Sequence, residues 1–424
     1  MSEISSYKCS ACGGILQFSS LKQKLVCVNC EAEYDVSEFD SAAAVDNKTD
    51  YSPREEQWNV EDEGLIAYEC KNCGGEIVGD RNMGSTKCPF CDNPIVISSK
   101  FEGALKPDLM IPFKLDKKAA TEKLREHVNR IKLAPGAFKS GNHIKEIQGV
   151  YVPFWLFDAR VHAKGEYDAR KENRHSDDKY EYVDTSYYDV MREGTMEFKN
   201  VPADASSKMA DDLMDSIEPY NVEEAVPYSP AYMAGYLADR YDVPAEKCQP
   251  RADARMKTTA EDLLRSKVEG YNTVNTTKSD FKKLTQSHRY ALYPVWILNT
   301  VWNGNKYVFA MNGQTGKLVG DVPYSKGMFF GILFGAFAII EAILVGIIMA
   351  SSGTIGSSGI IGSCVVSAII AAIIAFVMKG KTTSVHKGTK AINFVTPGSF
   401  RVTNQYDNFI KKTTEKNPKQ QKTN

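Results

Sequence analysis

Two almost uncharged stretches near the end of the chain constrain its fold more than any other feature. Residues 327–350 contain one charged side chain, Glu341, and residues 359–378 contain none. As helices rising ~1.5 Å per residue they would be ~36 and ~30 Å long, enough to cross a hydrocarbon core of ~30 Å. Because only residues 351–358 separate them, the two stretches are predicted to form a transmembrane helical hairpin around a short external loop.

The flanks of the hairpin predict its orientation. Lys326, Lys379 and Lys381 lie at its outer ends, which the positive-inside rule places in the cytoplasm. The sequence therefore predicts a multi-pass protein of the cell membrane, surrounded by lipid, with both termini cytoplasmic. The alternative is a pair of core helices in a soluble protein, although such helices are seldom apolar on all sides over ~20 residues.

Polar and small residues inside the spans suggest how the helices pack. Glu341 is predicted to make a buried hydrogen bond, and a role in ion or proton passage is the alternative. Small residues recur every four positions in each span, and this spacing predicts close helix contact, either within the hairpin or between chains of an oligomer. They are Gly327, Gly331 and Gly335 in the first span and Ser367, Ala371 and Ala375 in the second.

Eight of the ten cysteines lie within the first 91 residues, in Cys-x-x-Cys pairs. They form two sets, and each member of the first set recurs 61 residues later: Cys9, Cys12, Cys27 and Cys30, then Cys70, Cys73, Cys88 and Cys91. This regularity predicts a duplicated module at 1–36 and 66–100, joined by an acidic linker at 37–65. The first residues lack the apolar segment of a secretory signal, so the thiols are expected to stay reduced.

Four thiolates in two knuckles complete the tetrahedral shell that zinc prefers. Each module is therefore predicted to be a zinc ribbon, giving two structural Zn²⁺ ions in the chain. With all four positions filled by cysteine, no position is left for a catalytic water. Rubredoxin-like iron and redox-active dithiols are the alternatives.

Residues 101–326 are predicted to form one cytoplasmic α+β domain. Apolar spacing predicts helices over 116–133, around 231–241 and within 245–270, and buried strands over 150–157 and 290–302. Asn303-Gly304 predicts a hairpin turn, followed by strands at 306–311 and 317–322. Pro153-Phe154-Trp155 and Pro294-Val295-Trp296 occupy equivalent places, which favours a duplicated helix-plus-antiparallel-strand unit over the alternative of chance recurrence.

Charge is unevenly distributed along the chain. Residues 379–424 carry ten basic side chains against Asp407 and Glu415, and we expect a basic, disordered tail beside anionic lipid headgroups. Residues 1–100 carry 9 basic and 17 acidic side chains. Because nucleic-acid binding needs a positive face, this balance favours a protein-docking role for the ribbons, and a membrane-tethered nucleic-acid binder is the alternative.

Motifs that carry enzyme chemistry were not found. Gly313-Gln314-Thr315-Gly316-Lys317 lacks the spacing of a phosphate-binding loop, and the histidines form no His-Glu-x-x-His motif. Trp155, Trp296 and Trp302 are expected to be core residues. We therefore predict a protein that is not an enzyme and acts through protein–protein interaction.

Several segments together resemble bacterial double zinc-ribbon membrane proteins, which are also called TFIIB-type zinc-ribbon proteins and are often labelled as primosomal replication-restart helicases. The segments are the paired ribbons, residues 151–158, residues 228–241 and Tyr293-Pro294-Val295-Trp296. The resemblance implies a non-enzymatic membrane adaptor for phage-shock-type or flotillin-like envelope-stress proteins. The helicase label does not fit, because a helicase needs a phosphate loop and two motor domains.

Overall fold

The structure is a computed structural model of the chain, and it describes residues 4–5, 7–39, 66–69, 76–79, 82–87, 94–97, 106–139, 147–352, 356–385 and 388–418. It has a mixed α+β architecture, as predicted. The strands are β1 (Ile4–Ser5), β2 (Leu16–Ser19), β3 (Lys24–Cys27), β4 (Glu33–Tyr34), β5 (Ile66–Glu69), β6 (Glu76–Gly79), β7 (Met83–Lys87), β8 (Pro94–Ile97), β9 (Leu109–Met110), β10 (Gln148–Ser176), β11 (Tyr180–Asp204), β12 (Val226–Pro227), β13 (Leu237–Asp239), β14 (Thr273–Trp302), β15 (Asn305–Asn312), β16 (Leu318–Gly320) and β17 (Arg401–Pro418). The helices are α1 (Lys117–Arg130), α2 (Gly136–Lys139), α3 (Asp211–Ser216), α4 (Ala245–Arg265), α5 (Lys326–Ser352) and α6 (Ser357–Gly380).

The chain forms two units, whereas the sequence predicts one domain over 101–326. The first unit draws on residues 1–153, 206–240 and 292–387, and the second on residues 154–205, 241–291 and 388–424. Neither unit is continuous in sequence, because β10 and β14 each contribute residues to both. The proposed internal duplication stays a prediction.

The first unit contains a mixed sheet. Its β13 pairs in parallel with the start of β10, Val150 opposite Leu237, and antiparallel with β7, Ala238 opposite Ser85. The end of β14 pairs antiparallel with β15. The core contains an aromatic cluster around Phe113, whose ring stacks on Tyr236 at 4.1 Å between centroids, and this cluster packs among buried aliphatic side chains such as Ile111 and Val295.

Two local predictions in the first unit are confirmed. Helix α1 begins after Asp116, whose carboxylate accepts a hydrogen bond from the Ala119 N–H at 2.7 Å and so caps the helix. The strands β14 and β15 are joined at Asn303 and Gly304, with φ of 48° and 78°. Positive φ at both central residues is the geometry that suits a tight hairpin.

The predicted helix around 231–241 is wrong. Residues Pro230–Met233 form a single 3₁₀ turn, and Leu237–Asp239 form strand β13. Gly235, at φ +97°, breaks the helical path between them. The strand pairing of β13 is a non-local interaction, so the local apolar pattern could not reveal it.

The second unit is built on long antiparallel strands covered by a helix. Strands β10 and β11 pair from Phe154 opposite Asp204 to Ser176 opposite Glu181. Helix α4, predicted within 245–270, packs on this pair of strands. The guanidinium of Arg255 on α4 is buried and donates to the carbonyl of Pro202 at 2.9 Å and to that of Lys390 at 3.3 Å. These charge-assisted hydrogen bonds join helix α4 to strand β11 and to the C-terminal segment.

The expectation of a disordered tail over 379–424 is wrong for residues 401–418. Residues Arg401–Pro418 form β17, which pairs antiparallel with β11 from Thr195 opposite Arg401 to Tyr180 opposite Pro418. Its side chains are almost all exposed. Its polar composition is therefore similar to that of a disordered segment. The backbone pairing, together with ion pairs such as Lys412 to Asp184 at 2.9 Å, orders the segment.

Helices α5 and α6 are long and apolar enough to cross a membrane. Their bounds extend the predicted spans, 327–350 and 359–378, by one or two residues at each end. Large apolar side chains project outward from both helices, including Phe334 at 64% and Ile361 at 66% exposure. Exposed apolar surface of this kind is typical of helices that contact lipid.

Candidate functional site

The first cysteine set is held by two tight turns on either side of the β2–β3 hairpin. In the first turn, the Cys9 carbonyl accepts from the Gly13 N–H at 2.8 Å, and Gly13 adopts φ +71°. In the second, the Cys27 carbonyl accepts from the Glu31 N–H at 3.0 Å, and Glu31 adopts φ +59°. A non-glycine residue there costs ~1–2 kcal/mol, and a metal bound by Cys27 and Cys30 would offset this strain.

The turns bring the four sulfur atoms together. All four Sγ atoms lie within 4.8 Å of one another. Cys9 and Cys30 are 3.6 Å apart between sulfurs, and Cys12 and Cys27 are 3.5 Å apart. A tetrahedral zinc with Zn–S bonds of ~2.3 Å needs S–S edges of ~3.8 Å. The four thiols of this cluster therefore fit a tetrahedral metal ion.

Hydrogen bonds to sulfur shape the electrostatics of the cluster. The Tyr34 hydroxyl lies 3.1 Å from Cys9 Sγ, and this bond, more than any other interaction, lowers the pKa of Cys9 to about 6. The Gly14 N–H donates to Cys12 Sγ at 3.4 Å. Despite this bond, the neighbouring thiols raise the pKa of Cys12 to about 12. Without a cation the four sulfurs cannot all ionise, and a divalent metal would remove that obstacle.

The second predicted set, Cys70, Cys73, Cys88 and Cys91, lies outside the described residues. Flanking strands are described: β5 ends at Glu69, β6 begins at Glu76, β7 ends at Lys87 and β8 begins at Pro94. One four-cysteine cluster that could hold a metal is therefore present in the part of the chain that the structure describes.

Tyr34 was missed by the sequence reasoning. Its hydroxyl reaches Cys9 because β4 pairs with β3, placing Tyr34 opposite Leu25. Its ring packs edge-on against Phe39 at 5.9 Å, and Ser10 Oγ donates to its hydroxyl at 3.0 Å. The only sequence signal is an aromatic residue four positions after the last cysteine of the set.

Inside the hairpin, Glu341 makes hydrogen bonds across the two helices, as the sequence predicts, although they are only partly buried. Its two carboxylate oxygens accept from Ser363 Oγ and Ser367 Oγ, each at 2.7 Å. Cys364 Sγ lies 3.5 Å from the same carboxylate. Charge in an apolar segment is costly, and these donors from α6 compensate the Glu341 carboxylate on α5.

The two stripes of small residues differ in their surroundings. The residues of α6 that are buried are Ser363, Ser367, Ala371 and Ala375, so the stripe on the second helix makes the contact within the hairpin. A Cβ atom added at Gly331 or Gly335 would meet nothing within 4 Å. The glycine stripe on α5 is thus left open in a single chain.

Two of the three predicted core tryptophans are buried. Trp155, in the second unit, donates from Nε1 to the Val243 carbonyl at 3.0 Å. Trp296, in the first, donates to the Leu115 carbonyl at 3.2 Å. Trp302 is half-buried, and its ring lies edge-on to Phe138 at 5.4 Å. Trp155 and Trp296 are therefore structural residues.

Comparison with known proteins gives one relevant relationship. No protein-family model matches the chain, and no solved structure matches it. The uncharacterized protein YdjG of Bacillus subtilis (strain 168) is 31% identical over 332 aligned residues, which cover 66% of this chain and 97% of YdjG. An alignment that covers nearly all of YdjG implies a shared fold, and the chain therefore belongs to the same family as YdjG.

Proposed function

We propose that this protein is a non-enzymatic zinc-binding adaptor that is anchored in the cell membrane and recruits a cytoplasmic protein to it. The observation that carries the proposal is the combination, on one chain, of two long helices with outward apolar side chains and a closed four-thiolate site. An anchor and a metal-stabilised module are the parts that an adaptor needs. We place both termini in the cytoplasm, because Lys326, Lys379 and Lys381 flank the hairpin.

Zinc is the metal we assign to the first cluster, and we propose a second structural Zn²⁺ at Cys70, Cys73, Cys88 and Cys91. In the first cluster Cys9 and Cys27 are buried and Cys12 and Cys30 are exposed. When bound, zinc would supply a cross-link between two turns and no reaction. A closed shell of four sulfurs leaves no position for a substrate, which supports a structural role.

Protein recruitment is favoured over nucleic-acid binding by charge. The first 100 residues hold nearly twice as many acidic as basic side chains, and zinc bound by four thiolates adds negative charge. A phosphate backbone would be repelled by such a surface. As partners we propose phage-shock-type or flotillin-like envelope-stress proteins, the class that the family resemblance implies.

Deleting residues 327–378 tests the anchor. The two ends of the hairpin are joined by a hydrogen bond from the Val322 N–H to the Thr382 carbonyl at 2.8 Å, so a short Gly/Ser linker can close the gap. We expect the full chain in the carbonate-washed membrane fraction and the deletion variant in the soluble fraction. Unchanged membrane recovery of the deletion variant would refute the proposal.

Recruitment is tested by affinity purification from solubilised membranes, comparing the full chain with a variant in which Cys9 and Cys12 are both serine. We expect a defined cytoplasmic protein to copurify with the full chain. Salt-sensitive copurification of DNA or RNA in its place would favour the nucleic-acid alternative.

A further inference from the structure

A crevice opens where the chain enters and leaves the hairpin, and it lies apart from the four-cysteine cluster. Its volume is about 470 Å³, within the range of small-molecule sites. Residues from both ends of the hairpin line it: Tyr307, Asp321, Tyr324, Phe376, Lys379 and Thr383. All of these residues belong to the first unit.

The crevice has an apolar end and a polar end. Phe376, on the outer surface of α6, is 63% exposed, and its ring lies 5.8 Å from Phe329 on α5. Tyr324 lies edge-on to Phe329 at 6.4 Å. Tyrosine rings at the end of a membrane span typically lie at the level of the lipid headgroups. With the hairpin in the membrane, Phe329 and Phe376, which lie within the helices, would therefore adjoin acyl chains.

The polar end offers donors for an anion. Lys379 Nζ lies over the Tyr324 ring at 5.1 Å, a contact that holds the ammonium in place without using its N–H donors. The salt bridges of the described residues do not include Lys379, whose ammonium contacts the Tyr324 ring instead. Thr383, Tyr307 and Tyr324 line the same space, and each has a hydroxyl that can donate a hydrogen bond.

Asp321 restricts which anion fits. Its carboxylate accepts hydrogen bonds and repels a second negative group. A headgroup with one phosphate near Lys379 and free hydroxyls beyond it would satisfy both side chains, whereas a highly charged headgroup would not. The exposed ring of Phe376 favours a ligand with a hydrocarbon part, because contact with it removes apolar surface from water.

We propose that this crevice is a binding site for a singly charged glycerophospholipid of the phosphatidylglycerol type. Its phosphate diester lies against Lys379 and Thr383, its glycerol hydroxyls reach Asp321, and its first methylenes pack on Phe376. The proposal rests on the membrane placement of the hairpin and goes beyond the adaptor function, because it assigns a lipid to a specific site.

The test uses the full chain purified in a non-ionic detergent. Thermal unfolding is followed while phosphatidylglycerol, phosphatidylcholine or inorganic phosphate is added. We expect phosphatidylglycerol to raise the unfolding midpoint in a saturable manner, phosphatidylcholine to act roughly tenfold more weakly, and inorganic phosphate to have no effect, since charge-assisted bonds and apolar contact are both required.

The matched variants are Lys379→Gln and Lys381→Gln. Lys381 also flanks the hairpin, but it is exposed and does not line the crevice. We expect Lys379→Gln to weaken the response to phosphatidylglycerol roughly tenfold, the loss of one charge-assisted contact, and Lys381→Gln to leave it within about twofold. Equal responses of the two variants, or an equal effect of inorganic phosphate on the unmodified chain, would overturn the proposal.

Two further measurements keep the test decisive. If Lys379→Gln does not fold, Thr383→Val takes its place, because it removes a hydroxyl from an exposed position. Native mass spectrometry then counts the lipid molecules that this variant retains. Fewer bound phosphatidylglycerol molecules than in the unmodified chain support the site, and an unchanged number contradicts it. Loss of the lipid site would leave membrane recovery intact, so failure here is distinct from failure of the anchor.

Discussion

At the scale of single residues, the first four-cysteine cluster depends on a hydroxyl outside its ligand set. The Tyr34 hydroxyl lies 3.1 Å from Cys9 Sγ, where it can donate a hydrogen bond to the thiolate that a metal requires. Partners of this kind are worth ~10- to 100-fold in metal affinity. Tyr34→Phe should therefore weaken zinc binding by about tenfold while the ring keeps its contact with Phe39. Competition with a chromophoric chelator measures the affinity.

The control for this prediction is Tyr7→Phe. Tyr7 lies in the same module, and its ring also packs edge-on against Phe39, at 5.7 Å. We expect it to change zinc affinity by less than about twofold, because the contact with Cys9 Sγ comes from the Tyr34 hydroxyl. An equal loss in both variants would show that the ring packing, and not the hydroxyl, sets the affinity.

A second residue-scale prediction concerns Asp407, which anchors β17 in the second unit. Arg192 donates to its carboxylate, and Tyr271 donates to the other oxygen at 2.8 Å. The bond from Arg192 lowers the pKa of Asp407 below its usual value. The stabilisation is therefore complete above the ordinary carboxyl pKa of ~4 and is lost as the pH falls through the lowered value.

Asp407→Asn should reduce the free energy of unfolding at pH 7 by about 1 kcal/mol, a modest figure because the carboxylate is partly exposed to solvent. The difference from the unmodified chain should shrink below pH ~4, where the unmodified carboxylate is also protonated. Urea unfolding at the two pH values measures it. A difference that grows in acid would contradict the assigned ion pair.

At the scale of elements, the two membrane-length helices are held together by the stripe of small residues on α6. Ala371 is fully buried there, while Ala368 in the same helix is exposed. Ala371→Leu should therefore force the helices apart at a cost of ~1–3 kcal/mol. Thermal unfolding in detergent should show a lowered midpoint for this variant.

Ala368→Leu provides the matched control, since it adds the same side chain to the outer surface of α6. We expect its unfolding midpoint to stay close to that of the unmodified chain. Equal loss in the two variants would mean that α6 does not face α5 through Ser363, Ser367, Ala371 and Ala375.

The elements also show how far sequence reasoning reaches. Helices α1, α4, α5 and α6 and the turn at Asn303-Gly304 follow from local patterns, because caps, apolar runs and turn residues act within a few positions of each other. Strand β17 and the position of Tyr34 do not follow from local patterns. Both depend on pairing between strands, β17 with β11 and β4 with β3, which no local window of sequence contains.

At the scale of the whole molecule, the four-cysteine cluster, with the zinc that we propose for it, and the hairpin rely on different physical forces. Bound zinc contributes ~10–16 kcal/mol of apparent folding free energy to a small module, whereas a membrane helix is held by the transfer of apolar side chains into lipid. The Glu341 carboxylate is already compensated by hydrogen bonds from Ser363 and Ser367, so it does not depend on the N-terminal cysteine cluster. Membrane attachment should therefore survive loss of the metal.

The corresponding prediction is that a strong chelator removes zinc from the solubilised protein and from membranes without releasing the chain to the soluble fraction. We expect the first ribbon to become sensitive to protease near Cys9 and Cys30, because a module too small for its own core loses its cross-link. The hairpin should stay protected by lipid. Release of intact chain by the chelator would show that the ribbons, and not α5 and α6, hold the protein at the membrane.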